Sequence, residues 1–480
     1  MNLRSKLAVR AAKLTSILIK KMNRGSGVTL PGYVARLIDP RILSHLSNMI
    51  SEKVIVVMGT NGKTTVNALL CQTLEAEGFK VISNRTGANM QNGIVSAFVL
   101  ATDKSCALTA DYACIEVDEI TSVQVLPLLT PDFVVLTNIA RDQIDRFGEM
   151  ETTIQKIKTA FKSTPKTTLV INCDDVFSYS LARECSNPFI TYGINENIFK
   201  NDSFKENLFC RFCSFNPKDS PLGEDSGKED ESSTATPSNS LKKPTPLHYE
   251  SYYYGQLGIY SCPLCDFKRP TPEVTATNIA RTHDTYSFEI DGLEINSTAT
   301  ATYNIYNTLS AVTVLKASNA KVPHLKESLE HFDYGNNRES TFLVGDSKIQ
   351  LHLAKNPIGF GQKIALMIKD NKPKDIIYII NDTYQDGEDV SWLWDVDFTL
   401  LSETKFEKLL CGGIRKYDVG LRLKYEEIPC EFVDNLETTL KLLIANGTKN
   451  IYLILNYSAL IPTNVLLNEL THNYKPKLRE

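Results

Sequence analysis

The stretch VIVVMGTNGKTTVNALL, residues 54–70, decides the fold of the region around it. An apolar run typical of a buried strand leads into a glycine-rich turn, and a helix-forming pattern follows. The turn is predicted to present four successive backbone N–H groups at the start of the helix, those of Gly59, Thr60, Asn61 and Gly62. Unpaired N–H groups and the positive end of a helix dipole attract phosphate. The stretch therefore predicts a nucleotide-phosphate loop.

The residues after the turn fit the same chemistry. Lys63 can neutralise phosphate oxygens, and the hydroxyl of Thr64 or Thr65 can reach a Mg²⁺ ion. The common phosphate-loop pattern requires a glycine where Val57 stands, so the loop departs from that pattern. A chance glycine-rich turn is the alternative, but strand, glycine, Gly-Lys-Thr and helix all occur in the right order.

Acidic and amide side chains follow two further predicted strands, in the segments CIEVDE and VVLTNIARDQIDRFG. The carboxyl ends of parallel strands are where open α/β sheets bind ligands, and Mg²⁺ prefers oxygen ligands. The candidates for a second hold on Mg²⁺ are Glu116, Asp118, Glu119, Asn138, Asp142 and Asp145.

The loop pattern G-x-x-G-K-T-T resembles that of the Mur ligases and folylpolyglutamate synthetases. Two later segments resemble this group as well: ATYNIYNTLSAV, which implies that Asn304 and Asn307 meet the adenine, and NNRES, which implies that Arg338 points at the phosphates. The resemblance implies that ATP activates a carboxylate as an acyl phosphate, which an amine then converts to an amide. Lys63 and Glu116 would serve this step, Glu116 together with Thr64 by holding Mg²⁺.

Length and patterning predict several units in this chain of 480 residues. Alternating strand and helix patterns predict a Mur ligase-type central α/β domain at 51–335, with a parallel sheet and helices on both faces, and a Rossmann-like C-terminal α/β domain at 336–480. A basic amphipathic segment, 1–50, precedes them. The central domain includes a cysteine-bearing insertion at 205–270, whose loop 215–247 is rich in Ser, Pro and charged residues and is predicted to be disordered.

Four cysteines form two C-x-x-C pairs, Cys210 with Cys213 and Cys262 with Cys265. Two such pairs in a chain without an export signal predict a closed Cys₄ zinc site with a structural role. The intervening segment is longer than the roughly 15–20 residues of a compact zinc ribbon. Redox-active dithiols are the main alternative.

Charge and hydropathy indicate where the protein is located and which partners it can bind. The formal net charge of -4 gives no global case for nucleic-acid binding, and the lack of a long apolar run or signal peptide predicts a cytoplasmic protein. Basic residues interleave with Leu, Val and Ile in a helical pattern ahead of the first acidic residue, Asp39. This helix either packs its apolar residues on its own domain, leaving a solvated basic face, or rests near anionic lipid or an acidic partner.

Matching stretches along most of the chain resemble the MurT family, the synthetase subunits of lipid II isoglutaminyl synthase. They include LPGYVARLIDPRIL, NRTGANMQNGI, GIYSCPLCDFKRP and AKNPIGFGQ. The resemblance implies ATP-dependent amidation of D-glutamate in the stem peptide of lipid II during peptidoglycan synthesis. Ammonia would come from a GatD-type glutaminase subunit, and the membrane-anchored substrate gives the basic helix a reason to face the membrane. Lys355 or Asn356 would bound the acceptor pocket, and the alternative for Lys-Asn-Pro-x-Gly is an ordinary strand-to-helix turn.

The stretch NDTYQDGEDVSWLWDVDF, 381–398, also resembles that family. The resemblance implies that one of its aspartates completes a Cys-His-Asp arrangement on the glutaminase subunit, where a carboxylate orients the histidine. Asp389 is the first choice, before Asp395 and Asp386. The two tryptophans of the stretch are expected to fix the loop, and its other acids are expected to be ordinary surface.

Two other functions compete with amidation. A stand-alone Mur-type or folylpolyglutamate-type ligase, which adds an amino acid to a carboxylate, is disfavoured by the short region before the phosphate loop and by the cysteine pairs. A non-catalytic protein with a regulatory nucleotide site is the other alternative.

Overall fold

The computed structural model describes residues 1–21, 28–85, 87–140, 150–196, 208–215, 243–282, 285–299, 301–334, 339–383 and 386–473. The predicted magnesium candidates Asp142 and Asp145, the predicted phosphate contact Arg338 and most of the 215–247 loop lie outside these residues. Within the described ranges, every helix is too short or too polar to span a lipid bilayer.

Thirteen strands and ten helices lie ahead of residue 339 in the described ranges. The strands are β1 Ile50–Met58, β2 Val81–Ser83, β3 Ala110–Glu116, β4 Phe133–Leu136, β5 Thr168–Asn172, β6 Phe189–Ile194, β7 Phe209–Phe215, β8 Lys243–Pro246, β9 His248–Tyr254, β10 Leu257–Ser261, β11 Val274–Thr282, β12 Thr285–Ile290 and β13 Leu293–Asn296. The helices are α1 Leu3–Lys21, α2 Leu30–Ile38, α3 Ile42–Ser47, α4 Lys63–Ala76, α5 Gln91–Ala101, α6 Ser122–Leu129, α7 Met150–Lys162, α8 Val176–Glu184, α9 Thr302–Ala317 and α10 Leu325–Glu330.

A large sheet with the order β13-β12-β11-β6-β5-β4-β1-β3-β2 forms the centre of this part of the chain. The strands from β2 to β11 in this order pair in parallel, and β12 and β13 add an antiparallel edge. Alternate residues of β1 face opposite cores, Val56 and Met58 on one side and Ile55 and Val57 on the other. Both faces are covered, which explains why the strand is a continuous apolar run.

The N-terminal helices α1 and α3 are joined by a buried polar contact. The Ser5 hydroxyl donates to Asp39 Oδ2 at 2.6 Å, and His45 Nδ1 lies 3.2 Å from the same oxygen. Asp39, the first acidic residue of the chain, is 4% exposed and therefore lies inside the fold.

The cysteine-bearing insertion consists of two antiparallel pairs, β7 with β8 and β9 with β10. Strand β8 lies inside the segment 215–247, so the predicted end of the disordered loop is wrong. The alternation of Ser, Pro and Lys hid a short edge strand, in which proline is tolerated because one side makes no ladder bonds.

The remaining described chain forms a second sheet with the order β14-β15-β19-β16-β17-β18. Its strands are β14 Glu339–Val344, β15 Ser347–Leu353, β16 Lys374–Ile379, β17 Phe406–Gly412, β18 Glu431–Phe432 and β19 Asn450–Leu455, and its helices are α11 Pro357–Lys369, α12 Lys416–Tyr425, α13 Leu436–Ala445 and α14 Tyr457–Asn473. Five strands pair in parallel, but β14 and β15 form an antiparallel hairpin at the edge. The expectation of an open parallel sheet here is therefore right for all strands except β14.

Candidate active site

Two glycines of the phosphate loop have conformations and surroundings that exclude a side chain. Gly59 has φ +121° and Gly62 has φ +87°, in the region that disfavours other residues. A Cβ atom on Gly62 would lie 2.2 Å from Asn307 Oδ1, and one on Gly59 would lie 2.2 Å from Thr137 Oγ1. The loop is therefore packed directly against α9 and against the end of β4.

The segment after β4 holds the loop in place. The N–H of Thr60 donates to the Asn138 carbonyl at 2.8 Å, and the N–H of Asn61 donates to Asn138 Oδ1 at 3.2 Å. The Thr60 hydroxyl accepts from the Ala140 N–H at 2.9 Å. Of the four N–H groups predicted to meet a phosphate, those of Thr60 and Asn61 therefore have protein acceptors in this structure.

Lys63 begins α4 and points back over the loop. Its Nζ donates to Glu119 Oε1 at 2.9 Å and also contacts the Gly59 carbonyl. Burial alone would lower the pKa of Lys63, but attraction to Glu119, Glu116 and Asp118 outweighs it and raises that pKa. The lysine is therefore a fixed cation at the mouth of the loop.

Glu116, at the end of β3, is buried beside the first turn of α4. Its Oε2 accepts from the Thr64 hydroxyl at 2.8 Å, and its Oε1 accepts from Asn89 Nδ2 at 3.1 Å. Asn84 fixes the backbone, accepting from the Glu116 N–H at 2.9 Å and donating to its carbonyl at 2.8 Å. A hydroxyl and a carboxylate thus lie side by side at the carboxyl edge of the sheet, a donor set that suits Mg²⁺.

A cavity lies between the two sheets, with the phosphate loop on one wall. The central part contributes Asn61, Gly62, Thr65, Asn138, Asn304 and Asn307, and the C-terminal part contributes Lys355, Asn356, Gln362 and Lys363. Asn307 Nδ2 donates to Asn304 Oδ1 at 2.9 Å, so these two amides are already oriented. The structure therefore brings most of the predicted nucleotide residues to one cleft, together with the two residues predicted for the acceptor side.

Asn356 joins the two walls of this cavity. Its Oδ1 caps α11 by accepting from the Gly359 N–H at 2.8 Å, and its Nδ2 donates to Asn61 Oδ1 at 3.2 Å. One buried side chain thus starts a helix of the C-terminal part and contacts the phosphate loop.

Replacing Asn356 with alanine is expected to lower the free energy of unfolding by about 1 kcal/mol, because the cap of α11 is lost. Asn356→Ser is the matched control, since serine is also an N-cap acceptor for the Gly359 N–H and, like alanine, loses the contact with Asn61. Urea unfolding of the full chain measures both variants. Equal destabilisation by alanine and serine would show that the cap is not the source of the loss.

The four paired cysteines lie close together. Cys210 Sγ is 3.6 Å from Cys265 Sγ, Cys213 Sγ is 3.3 Å from Cys262 Sγ, and all four sulfur atoms lie within 4.8 Å of one another. Sulfur ligands around a tetrahedral zinc are about 3.8 Å apart, given Zn–S bonds near 2.3 Å. The cluster therefore fits a Zn²⁺ ion.

A buried ion pair attaches this cysteine region to the large sheet. Arg269 Nε donates to Asp174 Oδ1 at 2.7 Å, and the Tyr306 hydroxyl of α9 donates to Asp174 Oδ2 at 2.7 Å. The sequence alone did not single out these three residues, because nothing in their local pattern reveals that they meet.

The acidic stretch 381–398 leaves β16 and enters a 3₁₀ helix, Ser391–Asp395. Asp389 lies just ahead of this helix, whose N-cap is Val390. Its Oδ1 accepts from the Ser391 N–H at 2.7 Å, and its Oδ2 accepts from the Ser391 hydroxyl at 2.9 Å. Its side chain is half-buried, whereas Asp395 is exposed. Both remain candidates for a role at a partner's active site.

Asp386 and Trp394 differ from the expectation for this stretch. Asp386, the third candidate for the partner's Cys-His-Asp arrangement, is 4% exposed and accepts from the Ser458 N–H at 2.9 Å and the Thr383 hydroxyl at 2.7 Å, so it is neither a surface acid nor open to a partner. Trp392 is buried against Phe360, with ring centroids 5.3 Å apart, but Trp394 is 50% exposed. Trp392 therefore anchors the loop, and Trp394 lies on the surface.

Aromatic residues of the cavity are the main part of the site that sequence reasoning missed. Tyr192, Tyr303, Tyr306 and Tyr334 line it, and Lys363 Nζ lies 5.6 Å from the centre of the Tyr303 ring. The spacing of Tyr303 and Tyr306 around Asn304 places all three on the first turns of α9, a signal that could have identified them.

Comparison with known proteins identifies the family. A family model described as "Mur ligase middle domain" matches residues 57–220, and one described as "MurT ligase C-terminal" matches residues 353–460. The lipid II isoglutaminyl synthase (glutamine-hydrolyzing) subunit MurT of Streptococcus pneumoniae is 31% identical over 472 residues, which cover 97% of this chain and 98% of that protein. The chain belongs to the MurT family.

Further relatives agree with membership of the MurT family, and the resemblance seen in the motifs is confirmed. The subunit of the same name from Staphylococcus aureus is 29% identical over 466 residues, 96% of this chain and 97% of that protein. A pseudomurein peptide ligase type C from Methanothermus fervidus has the same fold, with a TM-score of 0.66 and 20% identity over 89% of this chain and 80% of that one. The predicted Mur ligase-like α/β fold with a large parallel sheet is thus confirmed.

Proposed function

We propose that this chain is the synthetase subunit of a glutamine-dependent amidotransferase acting on lipid II. The reaction converts the α-carboxyl of D-glutamate in the stem peptide to the amide of D-isoglutamine, a step of peptidoglycan synthesis. Ammonia comes from a GatD-type glutaminase subunit. The observation that carries the proposal is the match, over 97% of this chain, to a subunit named for lipid II isoglutaminyl synthase.

The substrate carboxylate attacks the γ-phosphate of ATP, forming an acyl phosphate and ADP. Ammonia then attacks the acyl carbon, and phosphate leaves. Lys63 stabilises charge on the transferring phosphoryl group, because its ammonium is buried and held over the loop by Glu119. Asn138 fixes the loop that receives the phosphates.

Thr64 and Glu116 are the residues that would hold Mg²⁺, and the ion would neutralise phosphate charge. Their oxygens lie 2.8 Å apart, and Asn89 orients the carboxylate. Asn304 and Asn307 would meet the adenine from α9, and Lys355 would lie on the acceptor side of the same cavity.

The four clustered cysteines form, in this proposal, a structural Cys₄ zinc site. The close approach of the sulfur atoms supports it, as does the packing of Tyr260 and Phe267 around the cluster. A closed site of this kind leaves no open coordination position, so its role is to hold the two strand pairs together.

Cys213→Ser is expected to abolish equimolar zinc binding and to lower the thermal unfolding midpoint, because one of four ligands is lost. Cys185→Ser is the matched control, since Cys185 is a half-buried thiol outside the cluster. Elemental analysis of both purified proteins gives the zinc content. Wild-type protein without zinc, in which the four clustered cysteines all titrate as free thiols, would rule the site out.

An exposed apolar face next to the acidic stretch supports docking of the glutaminase subunit. The large side chains on it are Trp394, Ile414, Tyr417, Leu421, Tyr425 and Phe432, each at least 49% exposed. Trp394 and Tyr425 contact each other, with ring centroids 5.2 Å apart. Asp389 lies ahead of the 3₁₀ helix that carries Trp394 and accepts from the N–H of its first residue, Ser391. Aromatic side chains are enriched in protein–protein interfaces, so the face suits a partner beside Asp389.

The proposed reaction is tested with the purified chain, with and without a co-expressed glutaminase subunit. Each sample receives ATP, Mg²⁺, lipid II and either glutamine or ammonium, and the product is analysed by mass spectrometry. A product mass that corresponds to conversion of one carboxylic acid of the stem peptide to an amide supports amidation. Addition of a whole amino-acid residue would instead establish the stand-alone ligase alternative.

A further inference from the structure

Helix α1 packs with its small residues inward and its large apolar residues outward. The inward stripe is Ser5, Ala8, Val9, Ala12 and Ser16, all buried. The outward stripe is Leu3, Leu7, Leu14, Ile17 and Leu18, which are between 49% and 86% exposed. An amphipathic helix that only covers its own domain has the opposite arrangement. Helix α1 therefore packs on its own domain with a solvated basic face, as one of its two expected settings has it, but it does so through its small residues.

The neighbouring helix α2 shows the same inversion. Gly32 is buried against α5, where a Cβ atom would lie 1.9 Å from the Asn92 carbonyl oxygen, and its N–H donates to the Ser96 hydroxyl at 2.7 Å. Leu30, Tyr33 and Leu37 face outward and are 47%, 47% and 64% exposed. Close packing of α1 and α2 by their small residues thus leaves eight large apolar side chains exposed on these two contacting helices.

Basic residues border this surface. Residues 1–38 contain no Asp or Glu, and the exposed cations of α1 are Arg4, Lys6, Arg10, Lys20 and Lys21. Lys6 and Arg10 are one helical turn apart and lie beside the outward leucines. The nearest acid in sequence is Asp39, whose carboxylate is buried, accepts from Ser5 and does not lie among these exposed cations.

We propose that α1 and α2 form a membrane-docking surface that lies in the plane of an anionic bilayer. The outward apolar side chains enter the boundary between headgroups and acyl chains, and the bordering cations pair with lipid phosphates. Tyr33 has the amphipathic ring that favours this depth. An acidic protein partner fits less well, because an apolar surface this broad requires a matching apolar contact and not only negative charge. The inference rests on the proposed function in one respect, that the substrate is carried by the membrane.

Vesicle flotation of the full-length chain tests the surface without nucleotide or lipid II. The probes are phosphatidylcholine vesicles with and without phosphatidylglycerol. Wild-type protein is expected to float with the anionic vesicles. Leu7→Ser/Leu14→Ser/Ile17→Ser is expected to reduce the bound fraction about tenfold or more at any salt concentration. Lys6→Glu/Arg10→Glu is expected to reduce it mainly at low salt, because salt screens the charge term.

The control variant is Leu442→Ser/Ile461→Ser/Val465→Ser, which removes three equally exposed aliphatic side chains from the C-terminal part and is expected to float like wild type. Thermal unfolding confirms that each variant folds. Failure of wild-type protein to float with anionic vesicles would overturn the proposal. So would a wild-type dimer, seen by native mass spectrometry, that the α1 variant converts to monomer, because the surface would then belong to a second copy. Vesicle binding by a protein that does not amidate lipid II would support this inference and contradict the proposed function. Amidation of detergent-solubilised lipid II by a protein that does not bind vesicles would do the reverse.

Discussion

Replacing Lys63 with alanine is expected to lower the rate of ammonium-dependent amidation by about a thousandfold or more. The variant removes the buried ammonium that lies over the phosphate loop, and no charge replaces it when the γ-phosphate is transferred. The measurement is amide formation on lipid II at saturating ATP, Mg²⁺ and ammonium, so that the glutaminase step does not enter the rate.

Lys53→Ala is the matched control for Lys63→Ala, because Lys53 lies on β1, the strand that leads into the phosphate loop, and its Nζ pairs with Asp132 Oδ1, 3.2 Å away and partly exposed. The Lys63 variant also leaves Glu119 buried without its cation, which can destabilise the fold. The double variant Lys63→Ala/Glu119→Gln removes that unpaired charge and is expected to stay folded and inactive. Activity of either Lys63 variant within about tenfold of wild type would refute the role of this lysine.

Asp389→Asn is expected to lower glutamine-dependent amidation by about four orders of magnitude in the complex with the glutaminase subunit. The loss follows because an amide cannot stabilise a protonated histidine in a Cys-His-Asp arrangement. Amidation driven by added ammonium is expected to stay within a factor of about two, since the nucleotide cavity is unchanged.

The substitution Asp389→Asn is expected to preserve the local structure. The Ser391 N–H donates to Asp389 Oδ1, and asparagine keeps an oxygen at that position, so this contact to the first residue of the 3₁₀ helix is retained. Asp395→Asn is the control, because Asp395 is exposed at the other end of the same helix. If Asp395→Asn abolishes the glutamine-dependent rate and Asp389→Asn does not, the assignment moves to Asp395.

Local chemistry was the part of the structure that the sequence predicted well. Strand, glycine turn and helix follow from residues adjacent in the chain, and C-x-x-C spacing brings two thiolates together within each pair. Lys63 and Glu116 were identified because both stand at ends of strands or helices, where backbone geometry fixes the direction of a side chain. Asn304 and Asn307 on α9 were identified differently, through the resemblance of their segment to the Mur ligases.

Contacts between distant segments could not be predicted. Asn61 and Asn356 are 295 residues apart, and no local pattern shows that their amides meet. Hydrophobic periodicity showed that α1 has an apolar face but not which face the domain covers. The covered face is the one with small residues, such as Ala12 of α1 and Gly32 of α2, because these let neighbouring helices approach closely. An argument from hydrophobic periodicity expects the larger leucines to be buried instead of the alanines. The burial of Asp386 could not be predicted for the same reason, because it depends on a hydrogen bond from the N–H of Ser458, far along the chain.

Helix α11 carries the contact between Asn356 and Asn61 at its first turn, and one turn later Phe360 packs against Trp392. The cleft wall and the loop with Asp389 are thus parts of one packed body. The same helix therefore sets the position of the cavity wall and that of the loop with Asp389.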